Sequence, residues 1–214
     1  MRVLGLDPSL TQFGWAVHNT RLSTNRCEAR GRFQTVAKDT FVDRYVHMRE
    51  SLRGIIRQHK PDRVGIESPV FKELYSEGMY GLFLYSCEAL KGEKMDTIFF
   101  SPKQVKAHAR LHLQRPDWWE MKKPDMVEAA KGHDLADHPT AFNHNEADAY
   151  WVSVASGRFW EFWDGVLPID ELTPVERDQF LRVHTYQRGK HAGEVRKSGM
   201  LYREDDRFFL WSQA

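Results

Sequence analysis

The chain has 214 residues with 31 basic and 30 acidic side chains, a net charge of +1, and 41% hydrophobic and 29% charged residues. That length suits one domain, or one domain with an appendage, with a full core and no need of disulfide or metal staples. The balance excludes wholesale disorder and a globally basic coat, so any contact with nucleic acid must come from local patches.

The N-terminus, Met1-Arg2-Val3-Leu4-Gly5-Leu6-Asp7, meets an acid too early for a signal peptide. Its Arg2 to Leu6 stretch reads as a short buried strand that Asp7-Pro8-Ser9 ends with turn chemistry. Phe13 to His18 and Cys27 to Thr35 read as two more strands, at spacings that suggest an antiparallel meander. Cys27 and Cys87 form no CxxC pair, which argues against a disulfide framework or a thiolate zinc site and for the reducing cytoplasm. Phe41 to His59 has a helical period, and Lys60-Pro61-Asp62 stops it. Arg63 to Glu67 is a fourth strand, ended by Ser68-Pro69. Phe71 to Leu90 reads as a helix interrupted by Gly78 and Gly81. Asp96 to Phe100 is a fifth strand, and Ser101-Pro102 starts a helix through about His108. Residues 114 to 125 are irregular, Asp125 to Lys131 reads as a short helix, and 132 to 143 as a polar loop. Asn145 to Phe162 is a long helix, and Pro174 to Val183 a short one before a tail rich in Gly, Lys and Arg. No run is apolar enough to span a bilayer, which takes roughly 20 residues. The order implies an α/β fold, a mixed five-stranded sheet with helices on its faces. The division expected is a domain over 1–164 and a C-terminal extension over 165–214.

Three acids stand where such a fold delivers side chains to one place: Asp7 and Glu67 at strand ends, and Asp148 early in the long helix. Ligands of open sheets bind at the strand ends. Two carboxylates about 4 Å apart repel by roughly 4 kcal/mol at an effective dielectric near 20, so either one keeps a proton or a divalent cation fills the gap. Oxygen donors without thiolate favour Mg2+ or Mn2+, and two such ions can activate water for phosphodiester cleavage. The alternative is three unrelated surface acids.

The blocks Gly5-Leu6-Asp7-Pro8-Ser9, Phe13-Gly14-Trp15-Ala16, Gly65-Ile66-Glu67-Ser68-Pro69 and Asn145-Glu146-Ala147-Asp148-Ala149 resemble RuvC-type Holliday junction resolvases in order and spacing. So do Lys103-Gln104-Val105-Lys106 and Lys122-Lys123-Pro124-Asp125-Met126-Val127. The resemblance covers residues 1 to 160. It implies an RNase H-like fold, endonuclease chemistry with two Mg2+ ions per active site (Mn2+ able to substitute), and a homodimer acting on branched DNA. It also implies that Asp7, Glu67 and Asp148 are the carboxylate ligands, with Asp7 bridging both ions. The segments added to a minimal resolvase suit a phage-encoded variety in its host's cytoplasm.

The fourth ligand departs from the family pattern, because Asn145 stands where an Asp or His is usual. At about 100° per residue, Asn145 lies about 60° from Asp148, His144 about 40°, and Glu146 about 160° and so points elsewhere. Asn145 is favoured over His144 as ligand; it could also simply cap the helix.

Lys103, Lys106, Lys122 and Lys123 are candidates for phosphate contacts, with Lys106 and one of the 122/123 pair favoured by the resemblance for the scissile phosphate. The alternative for each is a solvated helix face. Phe71, shortly after Glu67, matches an aromatic that stacks at the open junction centre in the family; it could equally be a core residue. Trp118-Trp119 reads as a stacking surface or as a loop folded over the core. His133, His138 and His144 match no zinc finger spacing. From Arg182 to Arg203 six basic residues face one acid, a local +5. Arg188, Lys190, Arg196 and Lys197 would form a DNA-contacting arm, or else a solvated segment. The functional expectation is a metal-dependent Holliday junction resolvase. The alternatives are an RNase H-like nuclease acting on flaps or RNA–DNA hybrids, and a non-catalytic branched-DNA-binding protein.

Overall fold

The computed structural model describes residues 1–69, 77–114, 121–134 and 141–181, with the backbone of four short strands beyond them. Two compact units emerge, residues 1–157 and 158–214.

The first unit is built on five strands, β1 (Arg2–Asp7), β2 (Gln12–Asn19), β3 (Cys27–Gln34), β4 (Arg63–Glu67) and β5 (Thr97–Phe100), in the order β3-β2-β1-β4-β5. β1, β2 and β3 form the antiparallel meander, while β4 and β5 run parallel to β1. Strand side chains alternate between faces. Leu4 and Leu6 of β1, Phe13, Trp15 and Val17 of β2, and Val64 and Ile66 of β4 share one buried face. There they pack against α1 (Phe41–His59) and α2 (Glu77–Gly92) through Tyr45, Met48, Leu52, Ile56, Leu82 and Leu90. The first helix matches its predicted span. Thr40 caps it by accepting the Asp43 N–H, and Lys60 ends it in the left-handed conformation.

The opposite face carries small residues, Gly5, Gly14 and Gly65, and this is where α5 (His144–Trp163) lies. A methyl group on Gly14 would strike the Asn145 carbonyl, one on Gly5 the Ala149 carbonyl, and one on Gly65 the Ser156 hydroxyl. Three glycines on neighbouring strands therefore let the helix backbone approach the sheet far closer than alanine would allow. α3 (Pro102–His112) and α4 (Lys123–Asp134) sit on the α5 side, where His112 packs on Trp151 and His133 on Tyr150. α3 opens with a reciprocal cap: Ser101 Oγ accepts the Gln104 N–H and Gln104 Oε1 accepts the Ser101 N–H, with Pro102 next in line.

α4 is longer than its sequence predicts, running through residues expected to be loop. Its C-terminal end is tied to the sheet: the Asp134 carboxylate, fully buried, accepts the Cys27 N–H at 2.7 Å. His133 is clasped between Arg26 at 3.0 Å and the Tyr150 hydroxyl at 2.9 Å. These partners come from residues far apart in sequence, so local pattern could not announce them. His133 thus has a structural role, while His138 lies outside the described residues.

In the second unit, α6 (Pro174–Leu181) opens with a Thr173/Glu176 capping box, and Arg158 pairs with Glu176 at 2.6 Å. Phe180 packs against Phe159 and Phe162. The tail, read from sequence only as rich in Gly, Lys and Arg, contains two antiparallel pairs. These are β6 (Val183–Thr185) with β7 (Val195–Lys197), and β8 (Leu201–Glu204) with β9 (Arg207–Leu210). Strands this short give too few alternations for a period-2 signal to stand out.

Candidate active site

β1 and β4 pair in parallel register from Val3 opposite Arg63 to Leu6 opposite Ile66. The next residue of each strand, Asp7 and Glu67, therefore leaves the sheet side by side. Alternation places both on the glycine-lined face under α5. The Asn145 carbonyl lies over Gly14, the cross-strand partner of Asp7, and the Ala149 carbonyl over Gly5. Asp148 belongs to the turn between those two contacts, and so reaches the same strand ends.

Surrounding bonds hold these ends in place. The loop after Asp7 is pinned by Arg44 of α1, a buried guanidinium that donates to the Leu10 carbonyl at 2.5 Å and to Thr35 at 2.9 Å. Beyond Glu67, the Ser68 N–H donates to the Phe100 carbonyl at 2.7 Å, fixing the end of β4 to β5.

The three acids sense one another. Burial and then the charges of Glu67 and Asp148 push the Asp7 carboxyl well above its ordinary range, against an opposing pull from Lys123. Burial, then Asp148, raises Glu67 to about 8, opposed by Lys106. Burial raises Asp148 to about 6, opposed by Lys106 and Lys123. All three residues remain partly exposed and so within reach of a substrate.

This donor set fits a hard divalent cation: three carboxylates whose joint ionisation is opposed until positive charge enters. Among the described residues no group of three or more His, Cys, Asp or Glu side chains is close enough together to hold a metal ion by itself.

Lys106 projects from α3 and Lys123 from the first turn of α4. Of the 122/123 pair it is Lys123 that acts on Asp7, Asp148 and His144. The Lys122 N–H instead donates to Asp125 at the helix start, at 2.8 Å. Lys103 is exposed on the first turn of α3. Asn145 is buried, and its amide donates to the Gln12 carbonyl at 2.9 Å and the Gln12 side chain at 3.3 Å. It is not the cap: Asn143 accepts the Glu146 N–H at 3.0 Å and donates its own N–H to the Glu146 carboxylate. Glu146 also pairs with Arg30 at 3.3 Å, consistent with its place on the far side of the helix from Asp148. His144 is partly exposed, its imidazole held below the usual range by burial, Lys123 and Arg32.

Phe71, Trp118, Trp119, Arg188 and Lys190 lie outside the described residues. Arg196 and Lys197 fall in β7, of which only the backbone is described. Sequence reasoning passed over Arg44, the three glycines and Asn143. The glycines were the findable signal, since all three lie in the strands that bracket Asp7 and Glu67.

A five-stranded mixed sheet, a helix laid on its glycine face and carboxylates at the strand ends define an RNase H-like protein. Within that class the chain belongs to the family described as crossover junction endodeoxyribonuclease RuvC, whose family model matches residues 3–109. The match takes in Asp7, Glu67 and Lys106; Asp148 lies beyond it and rests on geometry. The chain is 38% identical over 66 residues to RuvC of Caulobacter vibrioides, covering 31% of this chain and 39% of that protein. It is 38% identical over 65 residues to RuvC of Erythrobacter litoralis, covering 30% and 40%. The matched stretch thus spans about two fifths of the length of these relatives. In fold, the chain is similar to RuvC of Thermus thermophilus, with a TM-score of 0.62, 15% identity, and coverage of 76% of this chain and 97% of that one. The same RuvC has been solved in complex with a Holliday junction substrate. A yeast mitochondrial Holliday junction resolvase is similar at a TM-score of 0.50 and 13% identity, covering 71% and 75%.

Proposed function

We propose that this protein is a divalent-metal-dependent endonuclease that resolves four-way DNA junctions by paired hydrolysis of phosphodiester bonds. The observation that carries this reading is the set of three mutually repelling carboxyls, Asp7, Glu67 and Asp148, flanked by Lys106 and Lys123 in a RuvC-family chain.

Held by Asp7, Glu67, Asp148 and Asn145, two Mg2+ ions (or Mn2+) would supply an acidified water and positive charge at the phosphate. Asp7, flanked by both other acids, would be the central carboxylate in holding them. Its carboxyl, like those of Glu67 and Asp148, would have to give up its proton to hold a cation. The Asn145 amide, anchored to Gln12, offers its oxygen as the one neutral ligand. Lys106 and Lys123 approach from α3 and α4 and offset the charge that develops on the phosphate and the leaving 3′ oxygen. Lys123→Ala is expected to lower cutting by about 100-fold, and Lys122→Ala by less than about threefold, in single-turnover assays on a junction. Equal losses would remove the distinction between the two lysines.

Paired nicks need two sites related by a two-fold axis, which a homodimer supplies. The exposed apolar side chains of Val42 and Val46 on α1 and of Tyr80 and Leu84 on α2 support such an interface. The basic tail, with Lys103, serves as a further contact to the DNA backbone. Replacing Arg188, Lys190, Arg196 and Lys197 by Gln is expected to flatten the salt dependence of junction binding by up to about 0.9 log units per lost contact. An unchanged slope would exclude the tail.

The test is cleavage of a labelled four-way junction beside linear duplex, flap and RNA–DNA hybrid, in Mg2+, Mn2+ or EDTA. Paired symmetric nicks confined to the junction and lost in EDTA are expected. Preference for flap or hybrid would keep the metal chemistry and change the substrate. Binding without cutting in either metal would make the protein a branch binder and direct attention to Asn145.

A further inference from the structure

Among the four proposed ligands, Asn145 is the one whose two ends differ. Either oxygen of a carboxylate can hold a cation, but an amide can do so only through its oxygen, and its NH2 group would repel the ion. The surroundings of Asn145 leave no choice of end. Its Nδ2 donates to the Gln12 carbonyl at 2.9 Å and to Gln12 Oε1 at 3.3 Å. Both partners belong to one residue, the first of β2, and both can only accept. The Gln12 amide could in principle be turned either way as well. Arg32 of β3 removes that freedom, because its guanidinium donates to Gln12 Oε1 at 3.1 Å and arginine has no acceptor to offer. An Nε2 in that place would set donor against donor, at Arg32 and at Asn145 alike.

The register of the sheet builds this arrangement. Arg32 pairs with Gly14, and Gly14 stands two residues on from Gln12, so all three share the face that α5 covers. Gly14 admits the Asn145 backbone, which brings the amide down to Gln12. Arg32 is exposed, Gln12 half-buried and Asn145 buried, so orientation passes from the surface inward. The charge of Arg32 also reaches His144, next to Asn145. An aspartate at position 145 would set a carboxylate oxygen against the same two acceptors, which accounts for the asparagine in this chain.

We propose that Gln12 and Arg32 are positioning residues of the metal site. Arg32 fixes the end that Gln12 presents, and Gln12 fixes the end that Asn145 presents, so that the Asn145 oxygen is the end left for a cation. The proposal rests on the metal-dependent reading above. It carries a sign that charge alone does not. Removing a positive side chain from beside a cation site raises its affinity by simple electrostatics. Removing Arg32 lowers it here, because Gln12 and then Asn145 lose their orientation.

The test is Mn2+ binding to the full-length protein without DNA, read from the EPR signal of the free ion, with metal-free melting followed alongside. Gln12→Leu is expected to weaken binding about tenfold, and Arg32→Met, which acts one bond further out, about threefold. Arg32→Lys, which keeps a donor without an acceptor, should restore most of the affinity. Arg32 is exposed, so the metal-free melting of its variants should stay that of wild type. The Mg2+ concentration giving half-maximal cutting should rise by the same factors. Asn145→Ala should weaken binding at least as much as Gln12→Leu, and adding Gln12→Leu to it should cost nothing more. Unchanged or tighter binding in either Gln12→Leu or Arg32→Met would overturn the proposal, as would equal losses in Arg32→Met and Arg32→Lys. Additive losses in the double variant would overturn it too. Failure of wild type to bind Mn2+, or equal binding by Asp7→Asn, would instead overturn the metal reading on which it stands.

Discussion

Asp7→Asn is expected to lower junction cutting below about a thousandth of wild type, leave junction binding intact, and raise the melting temperature of the metal-free protein. The first two effects follow from removing the central carboxylate of the proposed metal site while keeping its size. The third follows from electrostatics: burial, then the charges of Glu67 and Asp148, hold Asp7 protonated well above its ordinary range, and an amide at position 7 carries no such cost. Relief of one such carboxyl is worth about 1–2 kcal/mol, or roughly 3–6 °C in a chain of this size.

The pH dependence has a definite sign. Folded pKa values near 6 for Asp148 and near 8 for Glu67 lie above their ordinary values of 3.8 and 4.5. These groups therefore take up protons on folding. Their contribution to stability is present below pH 4 and is lost as pH rises through 6 and then 8. Asp7 is raised too and titrates only in wild type, so metal-free wild-type protein should lose stability relative to Asp7→Asn as pH rises above about 4, as measured by thermal melts in EDTA. Mg2+ competes with those protons, so its stabilising effect should grow with pH in wild type and be smaller at every pH in the variant. A metal-free Asp7→Asn protein less stable than wild type at pH 8 would show that the three acids do not oppose folding.

How much of this was legible in sequence depends on how local each signal is. The meander, the α1 span and the ends of β4 come from runs whose period, caps and stops lie within a few residues, and the structure reproduces them. Asp7, Glu67 and Asp148 were legible as a set because strand alternation and the family blocks both point to them. Three things resisted. The approach of α5 depends on Gly5, Gly14 and Gly65 lining up across strands, which needs the register as well as the sequence. The choice of Lys123 over Lys122 depends on where α4 begins, and Asp125 fixes that by bonding the Lys122 N–H. The extension of α4 to Asp134 depends on partners more than a hundred residues away. In the same way Asn143, not Asn145, caps α5, because Glu146 completes the box with the residue three before it.

Acidification should destabilise the protein through His18 and His133. Burial holds the His18 imidazole near 4; burial, then Arg26, His18 and His112, hold His133 near 3. Arginine can only donate, so the His133 Nε2 facing Arg26 is bare and the proton sits on Nδ1, donated to the Tyr150 hydroxyl. A second proton on that ring would set two cations' donors against each other. Both folded pKa values lie below the ordinary 6.5, so the unfolded chain binds more protons. The stability these residues contribute is present above 6.5 and lost as pH falls toward 4 and 3. Each costs about 1.4 kcal/mol per pH unit across that window, or about 4 kcal/mol for the pair at pH 5. Urea unfolding from pH 7 to 4.5 should show His18→Gln and His133→Gln each removing one proton from the slope, and NMR should find both imidazoles neutral at pH 5. Titration of both near 6.5 would refute the clasp. The consequence reaches the active site because α4 is one rigid element. His133 and Asp134 anchor its last turn, and Lys123 stands on its first, about 15 Å away. Loosening the anchor withdraws the lysine that offsets charge at Asp7 and Asp148, so His133→Ala should slow cutting at neutral pH and have a smaller effect when combined with Lys123→Ala.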